Sequence, residues 1–153
     1  MISQKAKYAL KALVALARTE SGKPCAIRDI AARERIPQSF LEQILIELRR
    51  AGLVESRRGK DGGYLLAAAP SEIGLGRVLR IVDGPLAPLP CLSRTAYRRC
   101  ADCPDEAACT VRAVFLEVYE TTIAVMDRTT LADALGSAAG ETPWSSAVDT
   151  SSR

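Results

Sequence analysis

Residues 36–66 read IPQSFLEQILIELRRAGLVESRRGKDGGYLL, and this stretch decides the fold. Phe40, Leu41, Ile44, Leu45 and Leu48 recur at helical spacing as one apolar stripe, which predicts a helix over 38–50 that Gly52 is placed to end. Gln38, Ser39, Glu42, Gln43, Arg49 and Arg50 fall on or near its polar side. Leu53–Ser56 then reads as a strand, Arg57–Gly63 as a glycine-rich turn and Tyr64–Leu66 as a returning strand. Two short strands joined by a basic loop, directly after helices, make a winged helix-turn-helix the natural assembly.

The flanking sequence agrees. Ser3 suits a helix cap, and Ala6, Ala9, Leu10, Leu13, Leu16 and Ala17 predict a helix over 4–19, closed by Ser21-Gly22. Lys23-Pro24 opens an extended link through Cys25, and a short helix over 28–34 turns Ile30 and Ala31 inward before the tight turn at Arg35–Pro37. Downstream, a helix over 75–83 ends at Asp83-Gly84-Pro85. Residues 85–109 hold four prolines and four cysteines in 25 positions, with no sustained periodicity. Val111, Val114, Phe115, Val118, Thr122, Val125 and Met126 then predict a long helix over 110–127, followed by a short one over 129–135 and a loose, small and polar tail from Gly136.

Composition narrows the chemistry. The 153 residues carry a formal net charge of +3, are 48% hydrophobic and 25% charged, and include five cysteines and no histidine. The missing histidine excludes imidazole metal sites and imidazole-based triads; the pattern shows no substrate pocket and no hydrophobic strand before Cys100, so no catalytic residue is expected and the chain does not read as an enzyme. No apolar run approaches 18 residues and Met1–Tyr8 carries no secretory signal, so a cytoplasmic protein without a membrane partner is expected. Cysteines in that reducing compartment read as ligands or reactive thiols before they read as disulfides.

Charge is unevenly spread. Residues 1–80 carry 15 Lys/Arg against 8 Asp/Glu, and residues 81–153 carry 6 against 10. A basic first half suits a phosphate backbone. On the helix over 38–50, Ser39 and Gln43 are sized to read base edges, and Glu42 can accept from a cytosine amino group. Arg57, Arg58, Gly59 and Lys60 concentrate positive charge on the wing, with Lys5, Lys7, Arg28 and Arg33 as secondary phosphate candidates. The stripe on the long helix is more than the winged part can cover, which points to a homodimer on a palindromic double-stranded DNA site. The expected organisation is a DNA-binding domain over 1–84, a cysteine loop over 85–109, a dimerisation helix with a short terminal helix over 110–135, and a flexible tail over 136–153.

The cysteines read Cys91-x8-Cys100-x2-Cys103-x5-Cys109, with Cys25 apart as a structural thiol. Four thiolates can close a coordination shell around an iron–sulfur cluster or zinc. Structural zinc usually uses two closely spaced pairs, and only one such pair is present, so the uneven spacing fits a two-iron or four-iron cluster better. Nearby Arg94, Arg98 and Arg99 are expected to lower the thiol pKa values.

The motifs Lys7-Tyr8-Ala9, Ile36 through Leu45, Leu48 through Val54, Ser56-Arg57-Arg58-Gly59, Gly62 through Leu66 and Val82-Asp83-Gly84-Pro85 resemble the IscR-type family of bacterial winged-helix repressors, which includes NsrR and RirA. The resemblance covers residues 1 to about 135. It implies a homodimer joined through the long helix, with Ser39, Glu42 and Gln43 contacting bases and Arg58 and Gly59 in the wing. It also implies a cluster held by Cys91, Cys103 and Cys109. Three residues after the last cysteine, Arg112 replaces the histidine ligand of the family, and Lys7 stands where the nitric-oxide sensor has a carboxylate. Either Cys100 supplies the fourth ligand, or it is a resolving or bystander thiol.

The expected function is therefore an iron–sulfur-cluster-dependent DNA-binding repressor sensing iron, cluster or oxidative or nitrosative status. The alternatives are a cluster-free or zinc-containing thiol-redox regulator of the same fold, and a redox protein that does not bind DNA.

Overall fold

The computed structural model describes residues 2–20 and 22–137 of the 153. The first helix, α1 (Gln4–Ala17), starts because Ser3 accepts the amide of Ala6 at 3.0 Å, a side-chain N-cap. It ends two residues before the expected boundary, with Arg18 as its C-cap. Its buried face is built of Ala6, Ala9, Ala12, Leu13, Ala15 and Leu16. Small side chains there let neighbouring backbones approach, and α2 (Ile27–Glu34), α3 (Gln38–Arg50) and α4 (Leu75–Asp83) all pack on α1.

Arg35 closes α2 in the left-handed region at φ 54°, and its amide reaches back to the α2 carbonyls. That sharp reversal turns the chain into α3. The stripe predicted for α3 is buried at Leu41, Ile44, Leu45 and Leu48. Phe40 departs from it: 38% of its surface stays exposed, and its ring meets Tyr8 edge-on at 5.8 Å.

The wing is an antiparallel pair, β1 (Val54–Arg57) and β2 (Gly63–Leu66), in register from Val54 opposite Leu66 to Arg57 opposite Gly63. At its base, Cys25 and Tyr64 exchange both backbone hydrogen bonds, at 2.8 and 2.9 Å. Gly63 permits that approach, because a Cβ there would overlap the Cys25 carbonyl.

The loop 85–109 contains one short 3-10 turn, Pro90–Leu92, and leads into α5 (Thr110–Arg128). Tyr119 and Ile123 are the buried positions of α5 and meet Cys91 and Leu92 in a second small core. Val111, Val114, Phe115 and Val118 are 40–59% exposed, leaving an uncovered apolar stripe. The last helix, α6 (Leu131–Ser137), begins and ends two residues later than expected. Thr129 ends α5 instead, and Thr130 exchanges side-chain-to-backbone hydrogen bonds with Asp133, a reciprocal cap for α6. Gly136 and Ser137 thus belong to a helix, while residues 138–153 of the expected tail lie outside the described residues. Among the described residues no helix is long and apolar enough to cross a membrane.

The packing of α3 on α1 is testable. Leu45 has no exposed surface, so Leu45→Ala is expected to lower unfolding free energy by about 2–5 kcal/mol in urea titrations. A loss below about 1 kcal/mol would mean that the site collapses around the void.

Candidate nucleic-acid interface and cysteine cavity

Because one face of α3 is locked into the core, the other is presented to solvent, and Ser39, Glu42 and Gln43 are all exposed on it. Gln38, one turn before Glu42, donates from Nε2 to Glu42 Oε1 at 3.1 Å and so fixes the carboxylate in place. Sequence reading placed Gln38 on the polar side without a role, although its i,i+4 spacing to Glu42 was visible. At the other end of the helix, Arg49 Nη1 donates to Ser56 Oγ at 3.1 Å, tying α3 to β1.

In the wing, Arg57, Arg58, Gly59 and Lys60 are exposed. Arg57 Nη1 donates to the Gly22 carbonyl at 3.2 Å, whereas Arg58 and Lys60 make no ion pair or hydrogen bond among the described residues. The turn is closed by the Gly62 amide on the Gly59 carbonyl at 3.0 Å, and Gly59 takes a left-handed φ of 114°. Of the secondary candidates, Lys7 and Arg33 are exposed, Arg28 lies 3.6 Å from Asp29, and Lys5 is engaged by Glu47 at 2.6 Å.

The cysteine loop encloses a cavity of about 360 Å³ lined by Cys91, Cys100, Cys103 and Cys109, together with Asp102, Asp105 and Arg112. Cys91 is buried in the 3-10 turn, and Cys100 packs against the same small core. Cys109 is the N-cap of α5, its Sγ accepting the Arg112 amide at 3.4 Å. Arg99 donates to the carbonyls of Cys103 and Pro104, both at 2.9 Å, and Tyr97 donates to Glu106 at 2.5 Å. These bonds hold a segment that has no periodicity of its own.

Two expectations change here. Arginines were expected to lower the thiol pKa values, yet the Cys100 thiol is pushed up, first by burial and then by the neighbouring Cys91. Arg99 meanwhile points its guanidinium at backbone carbonyls. The second change concerns the four-thiolate shell. All four thiols border one cavity, but among the described residues no three Cys, Asp or Glu side chains converge as a metal shell requires. Cys91 is held against Tyr119 and Ile123, Cys109 caps a helix, and Cys100 packs on the small core that holds Cys91. Arg112, at the position of the family histidine, lies 4.0 Å from Glu106, and its buried Nε has no hydrogen-bond partner.

The chain matches the Rrf2 family, described as an iron-dependent transcriptional regulator, over residues 2–137. It is 51% identical over 138 residues to an rrf2-like helix-turn-helix transcriptional regulator of Rhodobacter capsulatus, covering 88% of this chain and 92% of that protein. The fold is similar to the structure of CymR, the global cysteine regulator of Bacillus subtilis, with a TM-score of 0.75, 31% identity, and coverage of 90% of this chain and 97% of that one. It is also similar to IscR of T. potens, with a TM-score of 0.71, 30% identity, and coverage of 90% and 88%.

Burial orders the thiols. A brief pulse of alkylating reagent on the native, reduced, metal-free protein should modify Cys103 and Cys109 well before Cys25 and Cys91, as read by peptide mass spectrometry. Modification of Cys91 at the same rate as Cys103 would contradict the placement of the 3-10 turn.

Proposed function

The chain belongs to the Rrf2 family of winged-helix DNA-binding transcriptional regulators, and from that premise we propose that it is a homodimeric repressor whose grip on a palindromic site follows the thiol state of its cysteine loop. One observation carries the regulatory part: Cys91 and Cys100 line one cavity and share one small core with α5, and the rim of that cavity is the N-cap of α5. A hydroperoxide oxidises one thiol to a sulfenic acid with release of an alcohol. The second thiol then attacks that sulfur, expelling water and forming a disulfide. The two electrons come from the thiol pair and reduce the peroxide O–O bond. Closing Cys91 to Cys100 pulls on the segment leading to Cys109, and therefore on the first turn of α5. The likeness to CymR of Staphylococcus aureus, whose structure is known in an oxidized form, supports thiol oxidation as the input.

The exposed stripe on α5 supports a second copy as its cover, which sets two α3 helices on successive faces of one duplex. In that arrangement Ser39, Glu42 and Gln43 read base edges, Arg58, Lys60 and the Gly59 turn contact the backbone, and Arg57 steadies the wing from its base. Lys7, Arg28 and Arg33 lie further out as phosphate contacts, and Lys5 serves only if DNA draws it from Glu47.

A second reading, an iron–sulfur cluster on Cys91, Cys100, Cys103 and Cys109, is favoured by the single cavity that all four line. Zinc in the same place is its metal rival.

Protein purified anaerobically with reductant, and assayed on a duplex it selects from a random library, separates these readings. One equivalent of hydroperoxide should change the affinity of metal-free protein, a reductant should restore it, and Cys100→Ser should abolish the response. Stoichiometric iron with acid-labile sulfide, or stoichiometric zinc, together with no peroxide response from metal-free protein, would favour the metal readings instead. On the DNA side, Arg58→Ala and Lys60→Ala should each weaken binding across all sequences and reduce the log–log salt slope by about 1. Glu42→Ala should relax base preference, by about 1–3 kcal/mol at one position. Unchanged selectivity in Glu42→Ala would remove that residue from the reading surface.

A further inference from the structure

The end of α5 is clamped to the winged half from two sides. On one side the backbone does it: the Leu75 amide donates to the Thr129 carbonyl at 2.9 Å, the Leu131 amide donates to the Ile73 carbonyl at 2.8 Å, and Gly74 pairs with Thr130. On the other side Arg80 forms a bidentate fork with Asp127, Nη1 to Oδ1 at 2.7 Å and Nη2 to Oδ2 at 2.9 Å. The carboxylate lies directly over Gly76, where any Cβ would overlap Asp127 Oδ1 and stand 3.1 Å from Arg80 Nη1. Among the described residues, this fork is the only side-chain hydrogen bonding, and the only ion pair, between α5 and the winged half.

We infer that Gly76, Arg80 and Asp127 are positioning residues for DNA recognition: the fork, seated on a glycine, sets the angle at which α5 leaves the winged half, and with it the distance between the two α3 helices of a dimer. This rests on the reading of α5 as the dimer helix. The lever is continuous, because α5 packs on α4, α4 on α1 and α1 on α3. Magnitudes argue for geometry over stability. Both partners are partly exposed, and ion pairs of that kind add little to folding, whereas a planar fork over a surface with no Cβ admits one orientation. Asp127 sits below the ordinary carboxylate range, chiefly through its hydrogen bond from Arg80, and Arg94 of the cysteine loop adds to the positive field upon it.

The experiment uses the full chain and the duplex that the unaltered protein selects from a random library. Binding of Asp127→Ala, and separately of Gly76→Ala, is measured on that duplex, on versions with the half-site spacing changed by one or two base pairs, and on a single half-site. The expected result is a loss of about fivefold or more on the full site. Spacing preference should broaden or shift, half-site affinity should stay unaltered, and Asp127→Asn should fall between Asp127→Ala and the unaltered protein. Full-site affinity and spacing preference unchanged in both variants would overturn the inference, as would an equal loss on the half-site. Failure of the unaltered protein to select any duplex would instead overturn DNA binding itself, and the inference with it.

Discussion

The burial of the alanine face of α1 organises everything built around it. Ala6, Ala9, Ala12 and Ala15 leave no solvent-exposed surface, so α2, α3 and α4 come close enough for Leu41, Ile44, Leu45 and Leu48 to share one core with Leu13 and Leu16. Each fully buried leucine or isoleucine contributes about 1.5–3 kcal/mol of apolar burial. Together they fix the rotation of α3 about its own axis. That rotation is what sends Ser39, Glu42 and Gln43 outward as a set. A polar row on a helix means little until the opposite row is locked.

The cysteine loop follows a different logic. Among the described residues, its buried cluster is small: Cys91 and Leu92 packed on Tyr119 and Ile123 of α5. Order is imposed by polar staples: Arg99 on two carbonyls, Tyr97 on Glu106, and the Cys109 cap on α5. Segments of this kind open at low free-energy cost, which suits a sensing element. A stable winged half joined through α4 and α5 to a weakly held loop is a sensible division between reading DNA and registering a chemical signal.

The winged half was legible in the sequence because its signals are local. The 3.6 spacing of α3, the glycines of the wing and the Ser3 cap each act within a few residues. Boundaries slipped where a side chain competes for the backbone, as Thr130 and Asp133 do when they start α6 two residues late. The Arg80–Asp127 fork was invisible, since 47 residues separate its partners and neither belongs to a motif. The cysteine spacing grouped the four thiols, and all four line one cavity. It could not show that Cys91 and Cys100 share one small core with α5, or that burial pushes the Cys100 thiol up. The Glu42 position was readable from its helix face, whereas its anchoring by Gln38 became clear only from the side-chain geometry.

The central claim is that the chemical state of the loop reaches the DNA-reading half through α5. Amide hydrogen exchange on metal-free protein, reduced and then oxidised by a hydroperoxide, reports on this path without any knowledge of the operator. The predicted result is altered protection in the first turns of α5, near residues 110–116, and at the junction of residues 74–80 with 127–131. Identical exchange along both segments in the two states would contradict it.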